Sequence, residues 1–117
     1  MNKIYQDNTC ERYVVDRGSF EGHKWFITSL GAYPCAYVES DIPEDLQNDI
    51  DCHGGITFWG KGFPEFEDDS VYIGWDYGHA CDYSLFNFFN ENGKKWTVEE
   101  IKNEIMEVVE QLKTLGY

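Results

Sequence analysis

Two blocks of the chain decide its fold: CHGGITF at residues 52–58 and IGWDYGHACD at residues 73–82. Each block contains a β-branched or aromatic run of strand type, with polar side chains at one end. Apolar residues on both faces of the second run predict a strand that lies centrally in a sheet. If the two strands are antiparallel neighbours, the start of the first lies beside the end of the second.

Further strand signals precede these blocks and are separated from one another by glycine and proline. The link between the first two strands is short, which favours a hairpin. The predicted strands cover residues 12–16, 23–30, 35–39, 56–59 and 71–76.

Two segments interrupt the strand pattern. Residues 40–51 predict a short acidic helix or loop, with Asp41 as its cap and Pro43 in its first turn. Residues 83–93 are equally compatible with a strand, a helical turn or a loop that is held by its aromatic side chains.

The C-terminal segment has the clearest helical pattern in the chain. Thr97 and Glu100 have the spacing of a capping box. Apolar residues recur at three- and four-residue spacing as far as Leu115, and Gly116 is placed to end the helix. The sequence therefore predicts an α+β fold: an antiparallel sheet of about five strands with one long C-terminal amphipathic helix packed on one face, in a single domain of residues 1–117.

The net charge of −13 is concentrated in the middle of the chain. Between Trp25 and Asn90 there are twelve acidic residues and one basic residue, Lys61. Direct binding of nucleic acid is disfavoured, because neutralising phosphates requires lysine and arginine. A basic protein surface, or a cation, is the better partner, with a merely solvated acidic surface as the alternative. The predicted binding residues are Glu39, Asp41, Glu44, Asp45, Asp49, Glu65, Glu67, Asp68 and Asp69.

The sequence predicts a cytoplasmic protein. No apolar run reaches the ~20 residues of a membrane helix, and residues 1–7 have no apolar signal-peptide core. The four cysteines (Cys10, Cys35, Cys52 and Cys81) form no C-x-x-C pair, so we expect reduced thiols rather than a zinc finger or disulfides.

One cluster of side chains predicts a site. His53 begins one strand, while Asp76, His79 and Asp82 follow the neighbouring one, so the topology brings two imidazoles and two carboxylates together. These groups suit a divalent metal, zinc before manganese or iron, which would activate water against an ester, phosphate or amide. The alternative is structural: Asp76 caps a turn and the histidines form hydrogen bonds. No established catalytic motif is present, so no catalytic residue is assigned and a non-enzymatic role is favoured.

The chain has more aromatic side chains than one small core needs. Exposed aromatics beside acids predict a protein interface, and a homodimer through them or through an edge strand is one form of it. The alternative is a large aromatic core with ordinary surface tyrosines.

The two blocks carry a resemblance. HGGIT at residues 53–57 and Gly-Trp-Asp-x-x-His-x-x-Asp at residues 74–82, followed by an amphipathic C-terminal helix, resemble a group of small uncharacterised proteins of phages and prophages. The chain departs from that group at Tyr77, where such proteins carry a cysteine. The resemblance implies a phage context. The group has no established activity, so the resemblance identifies no catalytic residues.

The sequence thus leads to two functional hypotheses. The first is a small acidic interaction protein of phage type, in the host cytoplasm, that blocks a basic, nucleic-acid-handling host protein; an anti-defence role such as CRISPR inhibition is its concrete form. The second is a small metal-dependent hydrolase or nucleotide-binding protein that uses the cluster of His53, Asp76, His79 and Asp82.

Overall fold

A computed structural model describes residues 5, 12–29, 31–63, 66, 69–79, 82–83 and 93–117. The described strands form one antiparallel sheet in the order β1-β2-β3-β5-β4. Their bounds are β1 Tyr13–Phe20, β2 His23–Ser29, β3 Pro34–Glu39, β4 Phe58–Gly60 and β5 Tyr72–Asp76. One long helix, α1, spans Val98–Leu115 and packs against β1, β2 and β3. The predicted α+β architecture is therefore confirmed.

The pairing of the strands also follows the predictions. β1 and β2 form a hairpin, and its ladder runs from Tyr13 opposite Ser29 to Phe20 opposite His23. β4 and β5 are antiparallel neighbours, as the juxtaposition of the two sequence blocks requires. β5 lies between β3 and β4, which explains the apolar residues on both of its faces.

The helix begins and ends where its sequence signals place it. The Thr97 hydroxyl accepts from the Glu100 amide, and the Glu100 carboxylate accepts in return from the Thr97 amide, which completes the capping box. Gly116 ends the helix in a left-handed conformation that glycine adopts without strain. Among the residues that the structure describes, no helix is long and apolar enough to cross a membrane.

Alternation along the strands gives the sheet two covered faces. One face packs against α1 and forms the main core, with Ile27, Val38 and Trp75 among its buried members. On the other face a second cluster contains Phe26, Tyr37, Phe66 and Tyr72, with Phe58 and Phe63 packed against it. Several of the aromatic residues therefore belong to this second cluster, to which the connection between β4 and β5 contributes Phe63 and Phe66.

Three details of the predicted elements need correction: one capping residue and two strand limits. The segment after β3 forms a 3₁₀ helix at Glu44–Asp49, but its N-cap is Pro43 and no side chain caps it, so the prediction of Asp41 as the cap was wrong. β1 extends to Phe20 because the hairpin ladder continues to its turn. β4 begins at Phe58 rather than at residue 56, since Thr57 contributes only one hydrogen bond to Gly74 before the ladder starts. Of the ambiguous segment 83–93, residues 84–92 lie outside the described residues.

Gly74 provides a test of the packing between the sheet and its aromatic cluster. A Cβ atom at this position would lie 2.6 Å from Cδ1 of Tyr37 and 3.0 Å from the carbonyl oxygen of Ala36. We expect Gly74→Ala to lower the free energy of unfolding by about 1–3 kcal/mol through overpacking. Urea denaturation measures the loss, with Ser19→Ala on the exposed part of β1 as the control. Equal stability of the two variants would contradict this packing.

Candidate functional site

The buried carboxylate of Asp82 is the centre of the predicted cluster. Its side chain is 2% exposed and accepts three hydrogen bonds. The donors are Nε2 of His53 at 2.7 Å, Nε1 of Trp96 at 2.8 Å and the amide of His79 at 3.0 Å. These donors come from the loop before β4, from the turn after β5 and from the residues just before α1. The carboxylate therefore connects three segments that are distant in sequence.

The hydrogen bonds also determine the charge of this carboxylate. Burial alone raises the pKa of Asp82, because it disfavours the charged form. The hydrogen bonds from His53, Trp96 and the His79 amide, with the charge of His53, outweigh burial and lower the pKa below its ordinary value. Asp82 is therefore ionised at neutral pH in spite of its burial.

The geometry fixes the tautomer of His53. An ionised carboxylate only accepts, so Nε2 of His53 carries a hydrogen and donates it to Asp82, which leaves Nδ1 as the ring nitrogen that can exchange a proton. The ring stacks on Tyr77 with 4.7 Å between centroids and meets Trp96 edge-on at 4.9 Å. The side chain remains 23% exposed. His53 is thus a rigidly held, partly accessible imidazole.

The second histidine lies beside the first. The rings of His53 and His79 are 5.5 Å apart, and Nε2 of His79 lies 3.4 Å from Oδ1 of Asp76. Gly54 has a positive φ of 72°, and a Cβ atom there would overlap the His79 ring. The glycine therefore provides both the turn after His53 and the space that brings the two imidazoles together.

A polar network that the sequence analysis did not predict holds Tyr77, on which the His53 ring stacks. The Tyr77 hydroxyl donates to the Glu104 carboxylate on α1, and Nε1 of Trp75 donates to both groups. Burial, followed by the hydrogen bond to Glu104, raises the pKa of Tyr77 well above its usual range. The sequence signal was the polar Glu104 beside the apolar stripe of α1, but its partners become visible only when helix and sheet are packed.

The predicted metal ligands are thus close together, but they are engaged with one another. Within the described part of the chain, no group of three or more His, Cys, Asp or Glu side chains is placed to hold a metal ion. Cys52 is a weak thiolate candidate, because burial, with the nearby charges of Glu104 and Asp51, raises its pKa to about 12. The geometry favours a hydrogen-bonded pair of His53 and Asp82, with the looser contact of His79 and Asp76 beside it, and zinc binding stays a prediction.

The predicted acidic surface is exposed at all of its described positions except Glu39. The carboxylates of Asp41, Glu44, Asp45, Asp49 and Asp69 belong to exposed residues, whereas Glu39 at the end of β3 is half-buried. Glu65, Glu67 and Asp68 lie outside the described residues.

The aromatic side chains are less exposed than an interface built from many of them would need. Among the described residues, Trp59 on the edge strand β4 is the one strongly exposed aromatic, at 50%. The others are buried or half-buried, many of them in the cluster opposite α1. For this part of the chain, the alternative of a large aromatic core is the better description.

Comparison with known proteins adds no further assignment, since no family model, curated protein or solved structure matches this chain. The resemblance to phage proteins therefore stays a prediction.

The contribution of Asp82 to stability can be measured through its pH dependence. We expect Asp82→Asn to lower the free energy of unfolding at pH 7 by about 2–3 kcal/mol, because the amide cannot accept from all three donors. The folded pKa of Asp82 is lowered, so its stabilising effect is present above the unfolded pKa of about 3.9 and is lost as the pH falls through the folded value.

Urea denaturation of both proteins between neutral and acidic pH tests this expectation. The difference in stability between wild type and Asp82→Asn should shrink below about pH 4. A difference that stays constant to the lowest pH would show that the ionised form of Asp82 contributes nothing. Glu107→Gln, on the exposed side of α1, controls for the loss of one charge.

Proposed function

We propose that this protein is a small acidic interaction protein that binds a basic protein surface. The observation that carries the proposal is the segment from Asp41 to Asp51, which displays carboxylates on a firmly anchored backbone. We call it the acidic segment. Its exposed acids are Asp41, Glu44, Asp45, Asp49 and Asp51.

The acidic segment is anchored at both ends. Ile42 and Ile50 are 0% and 4% exposed and belong to the main core. The backbone of Asp51 forms two hydrogen bonds with the Gln111 side chain on α1, at 2.6 and 2.8 Å. A display surface that is ordered before binding loses less entropy when a partner arrives.

The carboxylates of the acidic segment are separated from the lysines that the structure shows in ion pairs, which pair with acids elsewhere. Among the residues that the structure describes, the carboxylates of the acidic segment have no ion pair with a lysine or arginine. The described lysine ion pairs join residues that lie outside the segment 25–90: Lys113 with Glu21 and Glu110, Lys94 with Glu100, and Lys102 with Asp16. The negative potential of the acidic segment is therefore left for a partner outside the chain.

The chemistry of the segment favours a particular class of partner. A protein that binds DNA or RNA presents lysine and arginine where phosphates sit, and a row of carboxylates can occupy the same surface. Together with the resemblance to phage proteins, this supports an anti-defence role against a nucleic-acid-handling host protein. The acidic segment would act by competing with nucleic acid.

Salt and charge variants test the proposal. We expect a fluorescently labelled arginine-rich peptide to bind the wild type and to dissociate as salt rises from about 0.1 to 1 M, because the screening length falls from about 10 to about 3 Å. The triple variant Glu44→Gln, Asp45→Asn, Asp49→Asn should weaken binding at least about tenfold, since it removes three charges at one surface. Fluorescence anisotropy gives both results.

The matched control removes the same charge elsewhere. Glu99, Glu107 and Glu110 are exposed on α1, and their triple change to glutamine alters the net charge equally. If the two triple variants weaken binding to the same degree, only the net charge matters and the acidic segment is not the binding surface.

A second candidate function rests on a separate observation, the pairing of His53 with buried Asp82. A carboxylate that accepts from one imidazole nitrogen orients the ring and increases the basicity of the other, which is the arrangement of a general base. This supports the alternative of a hydrolase or nucleotide-binding protein centred on His53, with His79 and Asp76 beside it.

Hydrolysis assays and elemental analysis test this second candidate. Activity towards activated esters or phosphodiesters should disappear in His53→Gln and His79→Ala, while both variants keep the circular dichroism spectrum of the wild type. If zinc takes part, the purified wild type contains it in stoichiometric amount and His79→Ala loses it. Activity that is equal in all three proteins would exclude this cluster as a catalytic site.

A further inference from the structure

A cavity of about 370 Å³ lies at the start of the acidic segment. It opens between the β1–β2 turn, the end of β3, the start of β5 and the end of α1. Its lining includes His23, Glu39, Ser40, Asp41, Ser70 and Tyr117. The volume falls within the range of small-ligand sites, so it can accommodate one side chain of a partner. Because Asp41 belongs to both, the cavity and the acidic segment form one continuous surface.

The hydrogen bonds of His23 determine which chemistry it offers to the cavity. Its Nδ1 lies 2.7 Å from the backbone oxygen of Glu39. A carbonyl oxygen only accepts, so Nδ1 carries the hydrogen and Nε2 of the neutral ring is an acceptor. The sequence suggested no role for His23, but the fold places it half-buried in the wall of the cavity.

The polar wall is therefore dominated by acceptors. The carboxylates of Glu39 and Asp41 accept only, whereas the hydroxyls of Ser40 and Ser70 donate or accept. Among the residues that the structure describes, neither lysine nor arginine lines the cavity. A ligand that complements this wall must be rich in donors and positively charged.

The other residues that line the cavity suit an arginine side chain better than a lysine side chain. Tyr117 contributes an aromatic ring and Val71 an apolar surface. A guanidinium group is planar, carries five donors and no acceptor, binds carboxylates in a fork, and stacks on aromatic rings. An ammonium group is a compact, strongly hydrated charge that uses such a wall less well.

We propose that this cavity binds an arginine side chain of the basic partner, between the carboxylates of Glu39 and Asp41 and the ring of Tyr117. The inference rests on the proposed function, since it assigns one anchoring residue to the partner that the acidic segment recognises. A buried arginine in a pocket is a typical anchor of a protein interface. The acidic segment then provides attraction over distance and the cavity provides specificity.

Nuclear magnetic resonance with a single-residue probe tests the cavity. N-acetyl-arginine amide, titrated into ¹⁵N-labelled wild type, should shift the amide signals of Ser40, Asp41, Val71 and Tyr117. The citrulline analogue has the same shape without the charge and should leave these signals in place. Glu39→Gln should weaken arginine binding about tenfold or more, because a charge-assisted hydrogen bond is lost. Glu44→Gln, which lies outside the cavity, should bind as the wild type does.

The outcomes separate this inference from the proposed function. If the arginine-rich peptide binds through the acidic segment but the arginine probe shifts no cavity signal, the cavity assignment is overturned and the proposed function stands. If N-acetyl-lysine amide binds as well as the arginine probe, the assignment to arginine is overturned. If the probe binds in the cavity while peptide binding ignores both salt and the acidic segment, the guanidinium site is supported and the proposed function fails.

Discussion

The hydrogen bonds that converge on buried Asp82 are the constraint on which the arrangement of the surrounding loops depends. A carboxylate that is 2% exposed is stable only with donors around it, and these come from His53, Trp96 and the backbone of His79. The loop before β4, the turn after β5 and the approach to α1 must all be in place before the three bonds form. The same bonds orient His53, so a structural requirement and a candidate chemical site share one set of atoms.

The two groups of charged side chains are suited to different tasks. Around Asp82 the titratable groups are few and lie against one another within the chain. From Glu39 to Asp51 they are displayed on the surface, and Ile42 and Ile50 fix the backbone beneath them. Neutralising these carboxylates within the chain would require bases that the middle of the sequence lacks. The negative charge of the acidic segment is therefore screened by solvent, by dissolved ions or by a partner.

The packing of the aromatic residues shows why a high aromatic content does not by itself indicate an exposed interface. Alternation along β2, β3 and β5 sends one set of side chains towards α1 and the other towards the cluster around Tyr37. The ring of Tyr37 has space because Gly74 faces it from the neighbouring strand. An excess of aromatics is therefore used to cover a second sheet face, and Trp59 is left as the strongly exposed member among the described residues.

The sequence by itself determined the elements and their order. Periodicity placed the strands and α1, the capping box and Gly116 placed the helix ends, and the two blocks predicted that His53 would lie near Asp76 and Asp82. These are local signals, or follow from pairing neighbouring strands. Tertiary structure alone decided the rest: the donation of Trp96 to Asp82, the network of Tyr77 with Glu104, and the cavity beside Glu39. Each joins residues from segments whose relative position depends on how the helix and loops pack on the sheet, which no local pattern encodes.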